Sequence, residues 1–129
     1  MKPYYDRSNL ERIPELIQLA PQAAASFLTF EQDVFHATNA IPLKMKELIA
    51  IAVAHVTGCP YCIDVHVKKC KALGGTQEEM LEAIMIAAST RTGAILSHAT
   101  HALISFEEQS HPPTHKSTDS SSSPPDCFC

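Results

Sequence analysis

The segment that most constrains the fold runs from Leu43 to His66 and reads LKMKELIAIAVAHVTGCPYCIDVH. Its first part, as far as Val56, begins amphipathic and becomes apolar on nearly every side, which is typical of a helix in the middle of a packed bundle. Gly58 is suited to end this helix, and Pro60 is suited to the first turn of the next one. The segment therefore predicts two consecutive helices, with a Cys-x-x-Cys motif at the start of the second.

The remainder of the chain carries further helical signals and no convincing strand. Ser8 and Glu11 fit a capping box, Pro21 and Pro42 can each occupy the first position of a helix, and a TQEE capping box begins at Thr76. Gly93 is expected to interrupt the last apolar stretch. We predict an all-α fold with about six helical segments, covering roughly residues 8–19, 21–35, 42–56, 59–73, 76–92 and 94–108.

A chain of 129 residues is long enough for one domain with a small core. We expect residues 1–109 to form the helical domain. From residue 110 onward the sequence SHPPTHKSTDSSSSPPDCFC is dominated by Ser and Pro and offers nothing to bury. Residues 110–129 are therefore predicted to be a disordered tail.

Composition and charge exclude several classes of function. The net charge is −4 and no basic stripe is present, so nucleic acid is not expected as a partner. The longest apolar run, from Leu48 to Val56, is too short to span a bilayer, and the first residues contain no apolar signal region. Five cysteines, three of them close together, favour a reducing compartment in which a Cys-x-x-Cys motif is catalytic or binds metal. A soluble cytoplasmic protein is expected.

The candidate site consists of Cys59, Cys62, His66 and Glu47. On a helix, Cys62 is rotated by about 60° from Cys59 and His66 by about 40° from Cys62, so the two thiols and the imidazole share one face. The helix N-terminus favours a thiolate, and the imidazole can accept the thiol proton. A carboxylate on the preceding buried helix is costly unless it is paired, so Glu47 is expected to contact the histidine.

Other readings of the same residues remain open at this stage. Cys59, Cys62 and His66 could be three ligands of a structural or sensing zinc site, with Glu47 or His55 as a fourth. Glu47 could simply pair with a nearby lysine. The letters CPYC also occur in glutaredoxins, although that fold needs a later strand with a cis-proline, and the sequence after the motif predicts only helices.

The remaining cysteines and two neighbours of the motif are expected to have lesser roles. Cys70 is about 16 Å along the helix from Cys59, too far for a disulfide, and is predicted to be a packing thiol. Tyr61 is expected to shield the sulfurs, and Asp64 to lie at the surface or an interface. As a hypothesis, the tail cysteines Cys127 and Cys129 exchange thiols with the Cys-x-x-Cys pair, since a flexible tail is long enough to reach it.

Residues 44–88 resemble the AhpD-like, or carboxymuconolactone decarboxylase, superfamily in its cysteine-bearing branch. The shared pattern is E-x11-C-x2-C-x3-H, followed by a glycine and an acidic capped helix, as in KELIAIAVAHVTGCPYCIDVHVKKCKALGGTQEEMLEAI. This resemblance implies an all-helical protein that assembles into dimers, trimers or hexamers. It further implies alkylhydroperoxidase or disulfide oxidoreductase activity. The lactone decarboxylases lack the cysteine pair, so their chemistry is not expected here.

In the scheme that this resemblance implies, Cys62 is the thiolate that attacks a hydroperoxide. His66 takes its proton, Glu47 assists His66, and Cys59 resolves the sulfenic acid as a disulfide. A dithiol reductant, either a lipoyl-bearing or a thioredoxin-like protein, then restores the thiols, and no cofactor or metal is required. The helix terminus alone would instead favour Cys59 as the more acidic thiol, so the sequence leaves that ranking open.

Overall fold

A computed structural model describes residues 3–109, and these residues contain helices and no β-strand. The predicted all-α class is confirmed, whereas the thioredoxin fold, which needs strands, is not found in this part of the chain. The elements are a 3-10 helix (Arg7–Arg12), α1 (Ile13–Leu19), α2 (Pro21–Gln32), a π-helical turn (Asp33–Ala37), α3 (Leu43–Thr57), α4 (Pro60–Ala72) and α5 (Gln77–Gln109).

The first helical segment differs from its prediction. Asp6, not Ser8, provides the cap: its carboxylate accepts hydrogen bonds from the Ser8 backbone N–H at 2.8 Å and from the Ser8 hydroxyl at 2.6 Å. The residues after it form a 3-10 helix, and the α-helix begins only at Ile13. Pro14 explains the delay, because a proline is tolerated in the first turn of an α-helix but not in its interior. The capping box of Ser8 with Glu11 is therefore wrong.

Most of the other predicted boundaries are confirmed. Pro21 begins α2, and Gly58 ends α3 in the left-handed conformation, with φ 68° and ψ 43°. The Thr76 hydroxyl accepts a hydrogen bond from the Glu79 backbone N–H at 3.1 Å, as the capping box requires. Pro42, however, is the N-cap residue of α3 rather than its first helical residue.

The last predicted break is wrong, because α5 continues through Gly93. A glycine costs a helix about 1 kcal/mol relative to alanine, and a single cost of this size does not end a helix of 33 residues. The described residues therefore contain five α-helices instead of the expected six segments. None of the helices in the described range is long and apolar enough to cross a membrane.

The core lies where α3 packs against α4. Leu48 and Ile51 of α3 are buried together with Cys70 of α4, and side chains near the start of α5, such as Met80 and Ile84, pack against them. By its contacts, the chain divides into one unit that ends at Ile95 and a second that begins at the next residue. The first unit contains the whole candidate site.

Many large apolar side chains lie outside this small core and are exposed. Several of them are on α5. The exposed residues of α5 are Leu81, Met85, Ile86, Ile95, Leu96, Leu103, Ile104 and Phe106.

Candidate functional site

The two cysteines of the motif meet at the N-terminus of α4. Cys59 is the N-cap residue, with extended backbone (φ −105°, ψ 95°), and Cys62 lies in the first turn. Their sulfur atoms are paired as a disulfide, with Cα atoms 5.3 Å apart. The Cys59 sulfur also accepts a hydrogen bond from the Cys62 backbone N–H at 3.2 Å. On reduction, Cys59 would therefore be the thiol closest to the unpaired N–H groups of the helix end.

Glu47 and His66 form a hydrogen-bonded pair between α3 and α4. The imidazole Nδ1 donates to the carboxylate Oε2 at 2.6 Å, and the side chain of Glu47 is only 4% exposed and that of His66 18%. This bond leaves Nε2 as the ring nitrogen available to the thiol. The two nearby lysines have other partners: Lys44 pairs with Glu79 at 2.9 Å, and Lys46 donates to backbone carbonyls. The alternative that Glu47 pairs with a lysine is therefore wrong.

An apolar groove runs alongside this pair. The cavity has a volume of about 520 Å³, and Cys62 and His66 both form part of its wall, whereas Cys59 is not among the residues that line it. The structure thus brings the second cysteine and the histidine to the same cavity. The rest of the lining is Val34, Phe35, Thr38, Ala40, Ile41, Lys46, Ile49, Ala50, Val53, Ala54 and Thr57.

Tyr61, between the two cysteines, is held by the N-terminal segment. Its hydroxyl accepts a hydrogen bond from Asn9 Nδ2 at 2.8 Å and lies 3.2 Å from the backbone carbonyl of Tyr4, to which it donates. The ring of Tyr5 lies 5.5 Å from the Tyr61 ring, measured between centroids. The first residues of the chain therefore pack beside the Cys-x-x-Cys turn, a contact across more than fifty positions that sequence spacing does not signal.

Asp64, also expected to be outside the chemistry, makes ion pairs. Its carboxylate lies 2.8 Å from Lys68 Nζ and 2.8 Å from Arg7 Nε. The hydrogen bond from Lys68 is the largest cause that holds the pKa of Asp64 below its usual value, and Arg7 contributes in the same direction. Through Arg7, this residue provides a second link between the N-terminal segment and α4.

Cys70 is fully buried in the core, as expected for a packing thiol. Burial raises the pKa of this thiol, and the carboxylates of Glu79 and Glu47 raise it further. A Cβ placed on Gly75 would overlap the Cys70 sulfur and its backbone carbonyl. Gly75 is therefore required by close packing, and Cys70 is a poor nucleophile in the folded protein.

The sequence did not identify Phe35, which lies against His66. The two rings are stacked, with centroids 5.7 Å apart and planes inclined by 14°. Phe35 belongs to the π-helical turn that follows α2. From the sequence it was expected only as part of a helix, with no role in the site. Because this contact joins elements distant in sequence, no local pattern could reveal it.

The zinc alternative finds no support in the described part of the chain. Residues 3–109 contain no group of three or more His, Cys, Asp or Glu side chains arranged to hold a metal ion. His55, the possible fourth ligand, donates from Nδ1 to the Ile51 carbonyl at 2.7 Å, a side-chain to backbone contact within α3. Cys127 and Cys129 lie outside the described residues, so their proposed thiol exchange stays a prediction.

Comparison with known proteins agrees with this architecture. The sequence model of the carboxymuconolactone decarboxylase family matches residues 21–104. The chain is also 47% identical, over 83 residues, to a Paracoccus denitrificans protein named "Uncharacterized protein 4 in cox locus", a match that covers 64% of this chain and 74% of that protein. No solved structure gives a significant match. The family match spans most of the helical region, and the chain belongs to the carboxymuconolactone decarboxylase family.

Proposed function

We propose that this protein is a thiol-dependent alkylhydroperoxidase and disulfide oxidoreductase. The observation that carries the proposal is the arrangement around α4, where a paired Cys59 and Cys62 lie close in sequence to a histidine that a buried carboxylate orients. Cys62 and that histidine also line one cavity. The same three components appear in nucleophilic sites generally: a nucleophile, a base and a group that orients the base.

The first step would convert the hydroperoxide to an alcohol. His66 Nε2 accepts the thiol proton of Cys62, and the thiolate attacks the outer oxygen of ROOH. The O–O bond breaks, Cys62 becomes a sulfenic acid, and RO⁻ takes the proton back from the imidazolium to leave as ROH. Glu47 contributes by accepting a hydrogen bond from Nδ1–H, which keeps the proton on Nδ1 and leaves the lone pair of Nε2 free to accept the thiol proton.

The second step would close the disulfide and release water. The Cys59 thiolate, stabilised at the N-cap of α4, attacks the Cys62 sulfenic acid, and hydroxide leaves as water after it gains a proton. A dithiol reductant then exchanges with the disulfide and is oxidised, most simply at Cys59, which lies outside the groove. Lipoyl-bearing or thioredoxin-like proteins of a reducing cytoplasm are the proposed reductants. The sum is ROOH plus a dithiol giving ROH, water and a disulfide.

The groove supports an organic hydroperoxide as substrate. Its walls next to Cys62 and His66 are mostly aliphatic, with Val34, Ile41 and Ile49 among them. An alkyl group placed there would be removed from water, with a gain of about 25 cal/mol for each Å² of apolar surface buried. Hydrogen peroxide has no such group, so the proposal favours alkyl hydroperoxides over it.

A homo-oligomer is the second part of the proposal. The outer faces of α3 and α5 form an apolar surface cavity of about 830 Å³, lined among others by Val56 and Ile86. Exposed apolar patches of this kind mark interaction sites in soluble proteins. A dimer, trimer or hexamer of this chain would cover them, as the family resemblance implies, and light scattering of the purified protein would give the subunit number.

Peroxide-dependent oxidation of a dithiol donor tests the proposed activity. We expect Cys62→Ser to fall to the uncatalysed rate, because serine is not a redox nucleophile. His66→Ala should be slower by about 10²-fold to 10⁴-fold, the usual contribution of a general base. Cys70→Ala is the matched control, since it removes a buried thiol that does not line the groove, and should keep the wild-type rate. Equal rates for all four proteins would end the proposal.

A further inference from the structure

His66 is fixed on two sides by two different contacts. Glu47 holds the edge of the ring through Nδ1, at 2.6 Å, and Phe35 stacks beside one face of the ring, with the centroids 5.7 Å apart and the planes inclined by 14°. A hydrogen bond at one edge leaves an imidazole free to swing about that bond. A flat aromatic ring against its face restricts that motion, so the two contacts together define where Nε2 points.

Phe35 also separates two cavities of different character. One is the apolar groove that Cys62 and His66 line. The other, of about 330 Å³, is lined by Glu47 and by polar side chains that include His36 and others of α2 and α4. The two sets of lining residues share Phe35. Its ring therefore stands at the boundary between the carboxylate side of the pair and the thiol side.

The backbone that carries Phe35 is anchored by Lys46, the residue before Glu47. Its Nζ lies within hydrogen-bond distance of the carbonyls of Val34 (2.9 Å), Phe35 (3.1 Å) and Thr38 (2.8 Å), and of the Thr38 hydroxyl (2.8 Å). An ammonium group has three N–H donors, and carbonyls at a helix end lack intrahelical partners. A cation at this end is also favoured by the helix dipole.

We propose that Phe35 is a positioning residue for His66, and that Lys46 fixes Phe35 in that role. The ring keeps the imidazole in the orientation that serves both Glu47 and the groove, and it keeps water of the polar cavity away from the thiol side. This inference rests on the proposed function, since it assigns how His66 of that site is held. Lys46 acts indirectly on His66, because it binds the backbone of the turn that carries Phe35.

Without the aromatic ring, the imidazole should occupy several orientations. A misplacement of about 1 Å at a reacting group can cost on the order of 10²-fold in rate. We therefore expect Phe35→Leu to lower the rate of peroxide oxidation of reduced protein by about 10-fold to 100-fold. Phe35→Tyr, which keeps a flat ring, should restore most of the rate. Reduction of the disulfide by a small dithiol should change little in either variant, because that step does not need His66.

The experiment combines single-turnover kinetics with NMR relaxation of the His66 ring C–H bonds, which reports whether the imidazole reorients. In the reduced wild type at pH 8, the His66 ring should behave as a rigid group. Phe35→Leu should show a mobile His66 ring together with the slower rate, and Lys46→Met should shift both readouts in the same direction. Phe30→Leu is the matched control, because Phe30 is 64% exposed on α2, and it should leave both readouts unchanged.

The outcomes separate this inference from the function on which it rests. If the His66 ring stays rigid in Phe35→Leu, Phe35 does not position His66, whatever the rate does, and the inference is overturned. A wild-type rate for Phe35→Leu, measured beside an inactive Cys62→Ser, overturns it as well and leaves the proposed function intact. If Cys62→Ser is as active as wild type, the function is wrong, and the relaxation of the His66 ring still decides the role of Phe35.

Discussion

The α3–α4 pair and helix α5 differ in how far their apolar side chains are buried. In α3 and α4 the apolar side chains surround a few polar groups, and Ile51 and Cys70 are fully buried. Along α5 the apolar side chains are mostly exposed, for example Ile86 at 67% and Leu103 at 63%. The first region buries a core between its two helices and holds the candidate site, although the outer face of α3 remains exposed, for example Val53 at 54%. The second has apolar surface that the described residues do not cover, and together with the outer face of α3 it is where we expect other copies to bind.

The largest expected effect is on the α3–α4 core. Ile51→Ala should lower the free energy of unfolding by about 2–5 kcal/mol, because it deletes a fully buried side chain and leaves a cavity. Leu19→Ala, at a position 83% exposed on α1, should change it by less than about 0.5 kcal/mol. Urea denaturation of both variants measures the difference. Similar values for the two would show that the α3–α4 contact is not the stabilising centre.

The next effect concerns association through α5. Ile86→Glu should weaken assembly by about 100-fold, equivalent to about 2.7 kcal/mol, because an unpaired carboxylate would be buried in the interface. Gln22→Glu adds the same charge at an exposed position of α2 and is the control. Light scattering over a range of protein concentrations gives the midpoint of dissociation. An unchanged midpoint for Ile86→Glu would place the interface elsewhere.

Substitution of one glycine in each region by alanine tests how closely the two regions are packed. Gly75→Ala should destabilise the fold by about 1–3 kcal/mol, because the new Cβ would overlap Cys70. Gly93→Ala in α5 meets nothing within 4 Å and should stabilise the fold by about 0.5–1 kcal/mol, since alanine favours a helix over glycine. Thermal unfolding of the two variants measures both signs. A destabilised Gly93→Ala would mean that this part of α5 is closely packed in the assembly.

The smallest effect is the pH dependence that Asp64 contributes. The pKa of Asp64 in the folded protein is lowered, mainly by the hydrogen bond from Lys68. Asp64 therefore stabilises the fold at a pH above its pKa in the unfolded chain. This stabilisation is lost as the pH falls through its pKa in the folded protein. Asp64→Asn should therefore be less stable than wild type at pH 7, with a difference that shrinks below about pH 4. Glu82→Gln, at an exposed position of α5, is the control for a lost carboxylate. If the difference in unfolding free energy between Asp64→Asn and wild type stays constant across this pH range, the lowered pKa of Asp64 is contradicted.

Local rules were enough to predict much of the α3–α4 region. Gly58 ends α3, Cys59 caps α4, and the turn between them follows from residues that stand next to one another. The pairing of Glu47 with His66 was also predictable, because a carboxylate on an apolar helix needs a partner. Gly93 misled the prediction, since the small cost of one glycine does not end a long helix.

The remaining features depend on contacts that sequence spacing does not encode. Phe35 reaches His66, and Asn9 reaches Tyr61, only after separate elements have packed. The start of α1 was mispredicted because Ser8 and Asp6 are both good capping residues, and because the helix that Asp6 caps is a 3-10 helix, with the α-helix beginning only one residue before Pro14. Where two neighbouring residues can each cap a helix, the packing of the folded chain determines which one does.

The most direct test of the account is to trap the sulfenic acid. In Cys59→Ser, one equivalent of an alkyl hydroperoxide followed by dimedone should label Cys62, and mass spectrometry would locate the adduct. In Cys62→Ser, with Cys59 outside the groove, labelling of Cys59 should be much weaker. An adduct mainly on Cys70 or on the tail cysteines, or equal labelling of Cys59 and Cys62 in the two variants, would contradict a thiol centre built on Cys62 and His66.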